Sequence, residues 1–293
     1  MKEETNVARS FREKWENNPD IAFSQTLNEE SSIFKWILER NGFNNADQFK
    51  LFLADKKRIL DAGCGNGRVT ALIQKYANPE SQILGIDLVS SPVAEKNLKN
   101  YPNVKINKAD LLNKLEEFGS FDFIYCQEVL HHTSDPQKAF KNLCNLLNKN
   151  GEIAIYVYKK KAPVREYVDD YVRDIISPLS YEEAMNICNQ ITEFGKVLSE
   201  QKISIRIPDL DVLEIKGGDY DLQRFIYHFF MKCFWNPEMS FSDNSVINYD
   251  WYHPQVCSRY TVPEIVPWFN NEGLQIVQEN VDFYGITIRG KRL

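Results

Sequence analysis

An apolar strand end that runs straight into three alternating glycines limits this chain's fold more than any other feature. The run is Ile59-Leu60-Asp61-Ala62-Gly63-Cys64-Gly65-Asn66-Gly67-Arg68. Glycines at such a turn permit positive φ and let a ligand lie on bare backbone, where any Cβ would collide with it. A second apolar run, Ile83-Leu84-Gly85-Ile86-Asp87-Leu88, puts a carboxylate 20 residues after Gly67. At the end of the next strand in a βαβ unit, Asp87 is well placed to accept both hydroxyls of a ribose. A third run, Ile106-Asn107-Lys108-Ala109-Asp110-Leu111, presents Asp110 in the same way, suited to the exocyclic amine of adenine. Three successive strand ends, each glycine-rich or acidic, describe a groove for an adenosyl ligand along one rim of a sheet.

The surrounding pattern supports that sheet. From Ile59 to Tyr158 apolar runs alternate with amphipathic segments, which predicts strands at Arg58–Asp61, Gln82–Asp87, Val104–Asn107, Phe121–Cys126 and Ile153–Val157. One crossover helix follows Gly67. Another opens at Asp135-Pro136, an N-cap followed by proline at the first helical position, and is expected to run through Leu147 to a stop at Asn150-Gly151. Near the end of the chain, Thr261-Val262-Pro263-Glu264 has the form of a capping box opening a helix that Pro267 is expected to kink. Strands at Leu274–Gln278 and Val281–Ile288 then form an antiparallel hairpin that closes the sheet. The expected fold is α/β, a doubly wound and mostly parallel seven-stranded sheet. The expected regions are a helical cap over 1–55, a core over 56–158, an insertion over 159–258 too long for an ordinary connection, and a closing helix and hairpin over 259–293.

Charge and composition narrow the partners. A net charge of −6 offers a phosphate backbone no global attraction, and the stretch 159–250 carries 11 basic against 16 acidic residues, so nucleic acid is not expected as a partner. No apolar run approaches a membrane span, and the first 20 residues lack the apolar stretch of a secretory signal. The six cysteines show no C-x-x-C pairing and read as reduced thiols, so a cytoplasmic location is expected. His228 and His253 lack neighbours at metal-binding spacings, so no metal is expected. The sequence is silent on oligomeric state.

With these residues in place, the chain resembles the class I S-adenosylmethionine-dependent methyltransferases. The resemblance is close over 57–158, where DxGxGxG matches their first motif and Phe121-Asp122-Phe123-Ile124-Tyr125-Cys126-Gln127-Glu128-Val129-Leu130-His131-His132 resembles their fourth. It implies S-adenosylmethionine as cofactor, with Asp61 on the methionine amino group and Gly63, Cys64, Gly65, Asn66 and Gly67 beneath the methionine and sugar. It further implies Asp87 on the ribose, Asp110 at the adenine, Leu88 and Leu111 flanking the adenine, and Gln127 at the methionine end. A dinucleotide oxidoreductase is the nearest competitor, but its G-x-G-x-x-G would need its third glycine at position 68, which is arginine.

A sulfonium methyl is already electrophilic, so a base is needed only where the acceptor must lose a proton. His131 and His132 follow the fourth strand and are the candidate bases, because an unperturbed imidazole titrates near neutrality. Glu128 is a candidate to orient a histidine or an amine. Phe11 and Trp15 are spaced to let an N-terminal helix fold over the cofactor. Lys159 to Lys161, Arg165 and Arg173 are candidates for holding an anionic substrate, against the alternative of a solvated basic loop. The aromatic cluster between Tyr220 and Tyr252 suits the core of a lid with some rings facing substrate. A small-molecule acceptor is the expected substrate. The alternatives are methylation of a protein or RNA, and a non-catalytic sensor of the cofactor or its demethylated product.

Overall fold

The computed structural model describes residues 4–293. Two compact units are present, one formed by residues up to Lys14 with Lys160–Cys257 and the other by Trp15–Lys159 with Ser258–Leu293.

The larger unit is built on β1 (Arg58–Ala62), β2 (Gln82–Asp87), β3 (Val104–Lys108), β4 (Phe121–Gln127) and β5 (Leu147–Tyr158). After the short strands β6 (Ser204–Ile207) and β7 (Gly218–Asp221) of the other unit, the chain returns to add β8 (Leu274–Val281) and β9 (Gly285–Arg292). The seven strands lie in the order β3-β2-β1-β4-β5-β9-β8, parallel from β3 to β5 with β9 antiparallel to both neighbours. This is the expected doubly wound α/β sheet. The order reverses at β1, so the crevice beyond the carboxyl ends of β1 and β4 is where an open α/β sheet binds its ligand.

Both faces of the sheet are covered by apolar side chains. On one face Phe140, Leu143, Trp268 and Phe269 pack against Ile124, Ile155 and Ile288. Residues 15–55 supply much of the other, with Phe34, Ile37, Leu38, Phe49 and Leu53 sharing a cluster with Ile59, Leu72, Phe123 and Tyr125. The helix Ser32–Arg40 starts where Ser31 accepts the Phe34 N–H and ends at Asn41, with Gly42 at φ +81°, an Asn-Gly helix stop.

Two boundaries differ from the sequence reading. The helix opened by Asp135 and Pro136 ends at Cys144, not beyond Leu147, and residues 147–151 already belong to β5. Leu147 pairs with Phe121, the next register pair is Phe123 with Glu152, and Asn150 takes φ +63° within that irregularity. The Asn-Gly pair marks a strand bulge, not a helix stop. The closing hairpin turns later than expected, because Asp282 Oδ1 accepts the N–H groups of Tyr284 and Gly285 and so fixes the reversal at 282–284. The closing helix has its capping box and runs from Val262 to Asn271 through Pro267.

The smaller unit is helical, with Asn6–Asn17 contributing its first turns, then Pro163–Ile176, Tyr181–Glu200, Leu222–Phe229 and Phe241–Tyr252, and the β6-β7 hairpin. Six of its rings, Phe225, Tyr227, Phe229, Tyr249, Trp251 and Tyr252, are buried. No helix among the described residues is long and apolar enough to cross a membrane.

Candidate cofactor site

The glycine turn joins β1 to the helix Arg68–Tyr76 with Gly63, Gly65 and Gly67 all at positive φ. The N–H groups of Gly63 and Cys64 both donate to Ile86 O, at 2.7 and 3.0 Å, which ties the turn to the end of β2. A Cβ on Gly63 would fall 2.3 Å from Val129 Cγ2, and one on Gly65 would fall 2.7 Å from the Trp15 indole. Bare backbone here lets the β4 loop and Trp15 close onto the turn. Cys64 is buried, and burial together with Asp87 and Asp61 pushes its thiol well above the usual range. The Asn66 side chain is spent elsewhere. Its amide donates to the carbonyls of Pro19 and Ile21 at 3.0 and 3.1 Å, so it pins the turn to the 19–21 segment.

Asp87 closes the far side of this turn. One carboxylate oxygen accepts the Gly65 N–H at 3.1 Å and the other accepts those of Val89 and Ser90, each at 2.9 Å. Three amides therefore fix the carboxylate, and of its roughly four acceptor sites one stays open to a ribose hydroxyl. At the end of β3, Asp110 Oδ1 accepts the Leu112 N–H at 2.9 Å. Leu88 is exposed just past β2, whereas Leu111 is buried in the core cluster with Leu115 and Leu143.

Asp61 lies in register between Gly85 of β2 and Tyr125 of β4 and is buried. It accepts the Thr70 hydroxyl at 2.6 Å. Burial pushes its carboxyl up to about 7, Asp87 adds repulsion, and Thr70 and Arg68 pull the other way. The Thr70 backbone N–H also donates to this carboxylate, and with Thr70 as its one hydrogen-bonding residue Asp61 keeps acceptor capacity that suits an incoming ammonium group.

Beside it, at the end of β4, Gln127 exchanges hydrogen bonds with Asn41 through both atoms of its amide, and its Oε1 also accepts the Tyr125 hydroxyl at 3.0 Å. Arg40, buried with its guanidinium 3.9 Å from the Trp36 ring centroid, reaches Tyr125 Oη and Glu128 Oε1, both at 3.4 Å. Glu128 holds φ +66°, and its second oxygen meets Arg68 at 3.4 Å. Glu128 therefore clamps two arginines. The sequence reading missed Arg40, Asn41, Arg68, Thr70 and Tyr125. They come from three places, the end of the helix Ser32–Arg40, the start of the helix Arg68–Tyr76, and β4, and no spacing links the three.

His131 and His132 occupy a single 3-10 turn, Leu130–His132, and both are buried. The His131 ring lies 3.8 Å from that of Tyr158 and 4.3 Å from that of His132, centroid to centroid, and its carbonyl accepts the Ser258 N–H at 2.8 Å.

The arrangement fits an adenosyl-methionine ligand: a positive-φ glycine turn, acceptor carboxylates just past β2 and β3, and a buried carboxylate near the end of β1. Comparison with known proteins points the same way. A family model described as a methyltransferase domain matches residues 53–202, just over half of the chain. An uncharacterised protein of Synechococcus is 31% identical over 118 residues, which are 38% of this chain and 28% of that protein. The ubiquinone biosynthesis O-methyltransferase of Coxiella burnetii is 23% identical over 187 residues, 61% of this chain and 76% of the enzyme. Among solved structures, PKMT2 of Rickettsia typhi superposes with a TM-score of 0.53 at 16% identity, over 83% of this chain and 51% of that one, a likeness of fold. The chain thus spans as little as about a quarter of one curated relative's length and about three quarters of another's. With the sheet order, the glycine turn and the matched residues in agreement, the chain belongs to the methyltransferase-domain family, the class I S-adenosylmethionine-dependent methyltransferases.

Proposed function

We propose that this protein transfers a methyl group from S-adenosylmethionine to a small-molecule acceptor, most simply at oxygen or nitrogen. The observation that carries the cofactor half is the buried Asp61 carboxyl beside the glycine turn, paired with Gly85 two residues before Asp87. When bound, the cofactor supplies an electrophilic sulfonium methyl. In this reading Asp61 takes the methionine ammonium, Gln127 is held by Asn41 to face the methionine end, Asp87 takes the ribose, and Asp110 with Leu88 takes the adenine. Leu111 flanks the adenine from the core side, and Asn66 acts by fixing the turn. Trp15, seated on Gly65, keeps water from the turn. His131 is the first candidate base and His132 the second, because both sit just past β4 on the carboxyl rim of the sheet.

The small-molecule half is supported by the similarity to ubiquinone biosynthesis O-methyltransferases and by the acidic balance of residues 159–250, which suits a nucleic-acid groove poorly. Six cysteines buried as thiols suit a cytoplasmic location. Incubation with methyl-labelled S-adenosylmethionine and separated fractions of a cell extract tests the substrate class. The label is expected in the metabolite fraction, and label confined to the protein or RNA fraction would overturn the small-molecule reading.

A further inference from the structure

Four cationic side chains of the helical unit converge on one indole. Lys232 Nζ lies 4.9 Å from the Trp251 ring centroid, the Arg165 and Arg173 guanidinium carbons lie at 5.3 and 5.7 Å, and Lys161 Nζ lies at 5.8 Å. Arg165, Arg173 and Lys232 are all at most 6% exposed. Cations this deeply buried persist when each has a counter-charge.

Three cations of this neighbourhood have one. Arg165 donates to Asp169 at 3.0 Å, Arg173 pairs with Asp170, and Lys14 holds Asp250 at 2.8 Å. Asp169 has no capacity left, since it also accepts from the Trp251 indole N–H at 2.9 Å, the Tyr252 hydroxyl at 2.8 Å and the Lys232 backbone N–H at 2.9 Å. The Lys232 ammonium, with three donors, faces the indole, and among the described residues no carboxylate stands within ion-pair distance of it. Burial pushes it down to about 8, the Arg165 charge acts in the same direction, and Asp250 and Asp169 oppose it from beyond contact. A cation kept desolvated and without a counter-ion destabilises the fold unless something else neutralises it.

We propose that Lys232 and Trp251, flanked by Arg165 and Arg173, form a binding site for the anionic group of a small metabolite, a carboxylate or a phosphate. The anion accepts from the Lys232 ammonium and is held by the fixed guanidinium charges around it, in a dry setting where charge-assisted hydrogen bonds are strongest. That the ligand is a metabolite rests on the small-molecule reading above, whereas the presence of an anion site does not.

The test uses the full chain in low-salt buffer at pH 7, titrated separately with inorganic phosphate and with succinate, with sodium chloride matching ionic strength. At least one anion is expected to raise the melting temperature by several degrees beyond chloride. Phosphate alone identifies a phosphorylated ligand and succinate alone a carboxylated one. K232M keeps the apolar stem and is expected to weaken that anion's binding at least tenfold, to melt no lower than the wild type without anion, and to bind S-adenosylhomocysteine normally. No response to either anion in protein that binds S-adenosylhomocysteine would overturn the anion site alone. So would wild-type anion affinity in K232M, or a K232M protein that melts several degrees lower or does not fold, since Lys232 would then have a structural partner.

Discussion

Asp87→Ala is expected to weaken S-adenosylhomocysteine binding by roughly ten- to a hundredfold, about 1.5–3 kcal/mol, the range for losing charge-assisted hydrogen bonds. Two effects add. The ribose loses its acceptor, and the N–H groups of Gly65, Val89 and Ser90 lose the carboxylate that fixes the glycine turn against β2. Asp87→Asn separates them, because an amide oxygen still accepts from part of the loop but carries no charge. It is expected to fall between alanine and wild type. Calorimetry on folded variants checks this, and unchanged affinity in Asp87→Ala would place the ribose elsewhere.

A comparably large effect is expected on stability as pH changes, through Asp61. Its carboxyl titrates near 3.8 when unfolded and is pushed up to about 7 by burial, so between these values the folded chain holds a proton that the unfolded chain has released. Stability contributed by this group is therefore full below about pH 4, falls as pH rises, and levels off above about pH 7. A difference of about three pKa units corresponds to roughly 4 kcal/mol over that window. Asp61→Asn cannot ionise. Its melting temperature is expected to lose this descent relative to the wild type, measured without ligand from pH 4 to 8. Parallel profiles for the two proteins would show that Asp61 is ionised at little cost in the fold.

Those two residues were legible in the sequence because their signals are local. Each sits at the end of an apolar run next to glycines, and the strand ends at Asp61, Asp87 and Gln127 fall within one residue of where the runs place them. Less was legible where a local signal has two meanings. Asn150-Gly151 fits a helix stop or a strand bulge, and only pairing across to Phe121 and Phe123 decides between them. Nothing local announces the network around Gln127. Asn41 and Arg40 lie 86 and 88 residues from Gln127 and Glu128, on a helix whose own pattern shows only a stop signal. Lys232 is similar, because its burial against Trp251 depends on where two helices and a loop meet. The hydrophobic pattern specifies which faces are buried, but not which polar groups are buried with them.

Calorimetric titration of the wild-type protein with S-adenosylmethionine, S-adenosylhomocysteine and NAD under one set of conditions ranks the ligands that a glycine turn with a ribose-binding carboxylate can accept. Both sulfur ligands are expected to bind at least tenfold more tightly than NAD, because a positively charged methionine end meets the buried Asp61 carboxyl and NAD has no ammonium to place there. Tighter binding of NAD, or no binding of either sulfur ligand by folded protein, would contradict the assignment.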